Sequence, residues 1–255
     1  MKKLFKLTIL FLVLQSVSFI AKSQEINVLL KEAENLEIKL KESEALEKYK
    51  QVLLIDAKSM KALVKSSEWS AAIGARLVDK KEKQIYFQTA FSYAQRALAA
   101  NENDADANYT IAMVSGKMTE IETDNKKVVA YVKDIKSFAD KALQINPKHA
   151  KANYTLGKWH YEMVNLSGFK KAAVKLFYGG LPDGTLENAI LYMEKCKLYD
   201  PYFVLNYWDL AKAYQQDNKP TKTIEVLQKL VKLPLRTLDD AGYKSEGQKL
   251  LTQLQ

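Results

Sequence analysis

The sequence predicts an all-α protein: a right-handed helical solenoid carrying one inserted helix and a C-terminal capping helix. Three observations predict it. Ala, Leu, Lys and Glu dominate, while Gly and Pro number only 9 and 5, a composition that favours helix. The tetrapeptide Ala-Asn-Tyr-Thr occurs twice, at 107–110 and 152–155, so the chain repeats itself at a 45-residue offset. Small and apolar residues also step by four, three and five through three separate segments, each closed by a turn residue.

The N-terminus stands apart from this pattern. Lys2, Lys3 and Lys6 precede a mostly apolar run, Leu7 to Ile20, and Ala21-Lys22-Ser23 follows it. A charged start, a short apolar run and a small-residue cleavage site have the form of a secretory signal peptide. The run is short for a membrane span of ~20 residues. Residues 1–23 are therefore expected to be removed, leaving 24–255 to form the solenoid, exported as a periplasmic or secreted protein. Those first residues hold four of the 39 basic side chains and no acidic one, so the net charge falls from +9 to +5 without them. No concentrated basic stripe is present, which speaks against a nucleic-acid partner. The single Cys196 excludes an intrachain disulfide framework.

The stepping segments follow in order. Ala90, Ala94, Ala97 and Glu102 form the first set, Ile135, Ala139, Ala142 and Pro147 the second, and Ala189, Met193, Cys196 and Pro201 the third. Nine and ten residues beyond each terminator stand a large and a small residue: Ile111-Ala112, Leu156-Gly157 and Leu210-Ala211. This is the spacing of the tetratricopeptide repeat, a helix–turn–helix unit of about 34 residues that covers its apolar side with the next unit. A last unit runs through Tyr214, Thr223, Leu227 and Leu230. A first is framed on Leu29, Ala33, Leu36, Ala45, Tyr49 and Val52, and Ile73-Gly74 marks another first helix of a pair. About five helix pairs result.

Two units are longer than the standard frame. The first excess, about 11 residues around "MTEIETDNKK", is expected to form a loop, because insertions in repeat arrays map to loops. The second, about 165–185, has room for a short helix near Phe169–Phe177 ended by Gly179-Gly180. Thr185 then caps the next helix, and residues 238–254 form the capping helix. In the inserted helix Phe169, Leu176 and Phe177 share a face away from Lys170, Lys171 and Lys175. That face is expected to pack onto the array; lying on an anionic membrane is the alternative.

The stretches "LGKWHYEMVNLS", "KLFYGGLPDGTLENAILYMEKC", "YDPYFVLNYWDLAKAYQ" and "KLVKLPLRTLDDAGYKSEGQKLL" resemble the C-terminal part of the regulator of microtubule dynamics family, over roughly the last hundred residues. The resemblance implies a tetratricopeptide-like fold, the inserted helix and a non-catalytic role. Together with the leader it points to an exported, bacterial form of that family.

Enzyme chemistry finds little support. His149 is expected to be an exposed turn residue, His160 a packing residue where the repeat places Tyr, and Cys196 a small buried apolar residue. No metal or cofactor motif is present. The expected function is that of a protein- or peptide-binding scaffold using the concave face. Tyr109, Tyr154 and Trp208 occupy equivalent positions two residues before each large-small pair. Met113, Lys158 and Lys212 directly follow the pairs. This arrangement suits an extended peptide with acidic or carboxyl-terminal groups. The alternatives are that the aromatic residues simply fill space between helices, and that the chain is a structural subunit of an envelope assembly.

Overall fold

The computed structural model describes residues 22–255 except 169, 170, 173, 176–178 and 181–182. Helix α1 spans 22–38. It is followed by α2 (Glu42–Ile55), α3 (Met60–Arg76), α4 (Lys80–Ala100), α5 (Ala105–Ile121), α6 (Asn125–Ile145) and α7 (Ala150–Asn165). Beyond the inserted segment come α8 (Leu186–Tyr199), α9 (Val204–Gln216), α10 (Pro220–Leu230) and α11 (Asp240–Leu254). Successive helices pair as α1–α2 through α9–α10, and α3, α5, α7 and α9 also touch in series. This is a helical solenoid with an inner row of first helices.

The stepping positions are what hold the pairs together. Ala90, Ala94, Ala97, Ala139, Ala142, Ala189, Met193 and Cys196 are all fully buried. Small side chains let the second helix of each pair approach the first. A Cβ on Gly157 would stand 2.9 Å from Met193 Cγ and 3.0 Å from the Ala189 carbonyl, so α7 and α8 meet at a distance only glycine allows. Short polar residues start the helices by accepting free backbone N–H groups. Asp79 accepts from Lys81 and Glu82, Asp104 from Ala107, Asp124 from Lys126, and Thr185 from Asn188.

The first length excess is not a loop. The 11 residues are about three helical turns, and they lengthen two antiparallel helices instead. Helix α5 continues to Ile121 and α6 begins at Asn125, leaving a turn of 122–124. α3 and α4, at 17 and 21 residues, have the same lengths as α5 and α6. The two long pairs share a core of Phe87, Ile111, Val114 and Met118, with Phe91 set edge-on to Tyr131 at 5.9 Å. Extended helices that pack on each other bury apolar surface a loop would leave in water.

In the second excess, helical backbone occurs at 168, 171–172 and 174–175, and Gly179 and Gly180 adopt positive φ. Gly180 N–H donates to the Val174 carbonyl at 3.2 Å, which closes that turn. Phe169, Leu176 and Phe177, the apolar face expected of the inserted helix, lie outside the described residues.

The two ends of the array meet. The connection from α10 to α11 crosses to the N-terminal pairs, where Leu238 N–H donates to Glu42 Oε1 at 2.8 Å. Arg76, at the end of α3, holds Asp239 at 2.8 Å and also pairs with Glu42, whose carboxylate is buried. The connection is shaped from its own side as well. Asp240 accepts from Arg236 N–H (2.7 Å) and Thr237 N–H (2.8 Å), Arg236 Nη1 holds Asp200 at 2.8 Å, and Lys244 donates to the Leu233 carbonyl. The solenoid is thus a closed ring. Among the described residues no helix is long and apolar enough to cross a membrane.

Candidate functional site: the inner face

The repeated Ala-Asn-Tyr-Thr begins two inner helices, and each residue has one task. Ala107 and Ala152 are fully buried against the neighbouring helix. Asn108 Nδ2 donates to the carbonyls of Glu102 and Asp104, both at 2.8 Å; Asn153 does the same to Pro147 (3.1 Å) and His149 (2.9 Å). The amide therefore ties down the turn it follows. Thr110 and Thr155 return their hydroxyls to carbonyls four residues back. In the next inner helix Tyr207 replaces the asparagine, and its hydroxyl reaches the equivalent carbonyl, that of Pro201, at 3.0 Å.

The tyrosines point inward, each to a carboxylate. Tyr109 donates to Glu68 on α3 at 3.0 Å, and Tyr154 donates to Asp209 on α9 at 2.8 Å. Around Glu68 the array is curved enough for Lys151 on α7 to reach past α5 and bind the same carboxylate at 2.5 Å. Lys65 lies 3.7 Å from Glu68 and 3.2 Å from Glu37, which also receives Tyr49 (2.9 Å) and Trp69 (2.6 Å). Burial alone would raise the Glu68 carboxyl; Lys151 and Lys65, with the hydrogen bonds from Lys151 and Tyr109, bring it down to about 2. Burial and the adjacent carboxylates push the Tyr109 and Tyr154 phenols up, so both remain neutral donors.

Asp209 anchors a second cluster. It is buried, and it holds Tyr154, Lys158 (3.3 Å) and Lys212 (2.5 Å). Lys158 also reaches the exposed Glu162 at 2.9 Å. Lys212 lies 5.2 Å over the Trp208 ring and Lys158 lies 5.5 Å over Tyr161, both within cation–π range.

Between the N-terminal pairs and the closing connection lies a half-open chamber of about 600 Å³. Trp69, Tyr109, Met113, Phe203 and Tyr243 supply apolar surface, and Lys65, Glu68, Arg76, Lys151 and Arg236 supply charge. Of the six residues expected on the concave face, Tyr109 and Met113 line this chamber. Tyr154, Lys158, Trp208 and Lys212 gather around Asp209 instead. The carboxylates Glu37, Glu68 and Asp209 were not singled out from the sequence. One signal for Asp209 was available: it stands where Thr110 and Thr155 stand in the other inner helices.

The remaining candidates for chemistry are held by the fold. His149 is not an exposed turn residue. Its side chain is 9% exposed, Nδ1 accepts from Ala152 N–H at 3.0 Å as the cap of α7, and Nε2 donates to Asp106 at 2.8 Å. That interaction draws the Asp106 carboxyl down. His160 is buried, stacks on Tyr192 at 5.8 Å and accepts from Thr185 N–H; burial lowers its basicity, which keeps that nitrogen an acceptor. Cys196 is fully buried, and burial pushes its thiol far up.

Paired helices, a close-packing small residue in each pair and a concave inner row define a tetratricopeptide-type solenoid. Solved structures agree. A thermophilic TPR protein of Thermus thermophilus superposes with a TM-score of 0.64 at 11% identity, over 88% of this chain and 99% of that one. The Pseudomonas aeruginosa pilF protein superposes with a TM-score of 0.53 at 11% identity, over 92% and 93%. The family model described as Regulator of microtubule dynamics protein 1-3 matches residues 29–255, well beyond the last hundred residues. The chain belongs to that family. Regulator of microtubule dynamics protein 1 of Mus musculus is 26% identical over 176 residues, covering 69% of this chain and 57% of the relative. Its Bos taurus counterpart is 27% identical over 197 residues, covering 77% and 61%. The chain therefore spans about three fifths of the length of these relatives.

Proposed function

We propose that this chain is a non-catalytic scaffold that binds another protein, as an extended peptide, through the inner face of the ring. The observation that carries this reading is the chamber and the aromatic row beside it. Trp69, Phe203 and Tyr243 offer rigid aromatic contact and Met113 an adaptable apolar one, and buried aromatic anchors dominate binding energy at such interfaces. The six contact residues proposed are Tyr109, Met113, Tyr154, Lys158, Trp208 and Lys212. Lys158 and Lys212 are balanced by Asp209 and Glu162, so the cluster offers ammonium donors rather than net charge toward the groove. Those donors suit a peptide with acidic side chains or a free carboxyl end. Both imidazoles and the thiol already serve packing or capping, which supports a role without catalysis, and the reading calls for no cofactor and no nucleic acid.

We place the protein outside the cytoplasm, periplasmic or secreted, on the strength of the leader-like residues 1–23. Intact mass of the exported chain is expected to correspond to a start at Gln24; a retained Met1 in a membrane fraction contradicts it. On this reading the chain acts apart from the microtubules for which its relatives are named.

The binding test is selection of random displayed peptides on the purified exported chain. Enriched peptides are expected to lose at least tenfold in affinity for the double variant Tyr154→Phe with Lys158→Gln, measured well below its melting temperature with the helical circular dichroism spectrum retained. Equal affinity for the two proteins defeats the groove reading.

A further inference from the structure

The ring is held shut by a seam unlike any other contact in the array. Between neighbouring helix pairs, fully buried side chains such as Leu63, Leu156 and Leu210 provide the cohesion. The seam joins residues 163 and 196 positions apart, through Arg76–Asp239 and the Leu238 N–H bond to Glu42 respectively. The Arg76 and Asp239 side chains are 29% and 33% exposed, and half-exposed ion pairs of this kind contribute little.

What remains on each side after separation also matters. Glu42 is buried and needs a cation, and Arg76 supplies it from the same half of the molecule. Breaking the seam therefore strands no buried charge. The connection keeps its own shape on the other half through Asp240, the Arg236–Asp200 pair and Lys244. Ile38, Leu235 and Leu238, near the seam, are already exposed, so separation uncovers no core there.

We propose that residues 233–240 are a latch. The ring opens at the Arg76–Asp239 contact, the connection moves as a unit with α10 and α11, and the half-open chamber widens for the partner's peptide. This rests on the peptide-binding reading for its purpose but not for its test. A narrower resting state makes apparent affinity depend on the widened fraction, so whatever loosens the seam tightens binding.

The test is thiol labelling of the full exported chain bearing Met113→Cys, with a bulky maleimide as probe and no peptide present. Met113 lines the chamber, and the native Cys196, fully buried, reports global unfolding in the same mass spectrum. Adding Asp239→Asn is expected to speed labelling at position 113 about two- to fivefold, the scale of a partly exposed ion pair, with Cys196 still unlabelled. Molar sodium chloride is expected to do the same without Asp239→Asn, since half-exposed pairs are screened. Equal rates with and without Asp239→Asn overturn the latch. So does acceleration at position 113 only in step with Cys196, because opening is then global unfolding. Since no peptide takes part, failure here leaves the binding reading to its own selection experiment.

Discussion

Asp209 shows how much one substituted position can change an inner helix. Where two preceding helices carry threonine, it places a buried carboxylate that gathers Tyr154, Lys158 and Lys212. Removing it leaves Lys212 and the Tyr154 phenol without their acceptor and Lys158 with Glu162 alone. Asp209→Ala is expected to cost about 2–4 kcal/mol in urea unfolding, toward the lower end because both lysines can turn to solvent. Glu68 makes the corresponding case for pH. Its folded carboxyl lies near 2, below the ordinary value of 4.5, so its stabilisation is complete above about pH 4.5 and drains away as the pH falls toward 2. The full effect is about 3 kcal/mol at most. Melting temperatures from pH 7 to pH 2.5 are expected to fall less steeply for Glu68→Gln than for the unaltered chain. The tyrosines that meet these carboxylates were legible as a repeated motif. The carboxylates were not, because their pairing depends on curvature: Lys151 and Glu68 are 83 residues apart and touch only because the array bends past α5.

At the scale of the helix, the frame was readable because it rests on burial of small residues at fixed steps, and Ala90, Ala139 and Ala189 have little freedom in where they go. The extra length near residue 120 was not readable in the same way. Eleven residues fit a loop or three helical turns equally well by count, and the choice fell to partners elsewhere: Phe87 and Phe91 on α4 cover the added turns. Two glycines separate close approach from mere propensity. Gly157→Ala brings a methyl against Met193 and the Ala189 backbone and is expected to cost about 1–3 kcal/mol. Gly242, in the first turns of α11, has nothing within 4 Å of the same added atom. Gly242→Ala is expected to stabilise by about 0.5–1 kcal/mol through helix propensity. Urea midpoints moving in the same direction for both would contradict this distinction.

Across the whole molecule, ring closure alters how the array responds to loss of its end. In an open solenoid each unit contacts only its neighbours, so damage stays local. Here deletion of 233–255 removes α11 from Leu227 and Leu230 and also takes Leu238 and Asp239 away from Glu42 and Arg76. Amide exchange is expected to rise strongly in α9 and α10, which lose core contacts, and slightly in α2 and α3, which lose only the weak seam; a rise confined to the former pair would show that the ends do not support each other. Closure also sets a counting rule. An open array can gain or lose a helix pair and remain an array of the same kind. In this ring a sixth pair would carry Asp239 one unit past Arg76 and a fourth would stop it short, so the number of repeats is fixed by the need for the last to find the first.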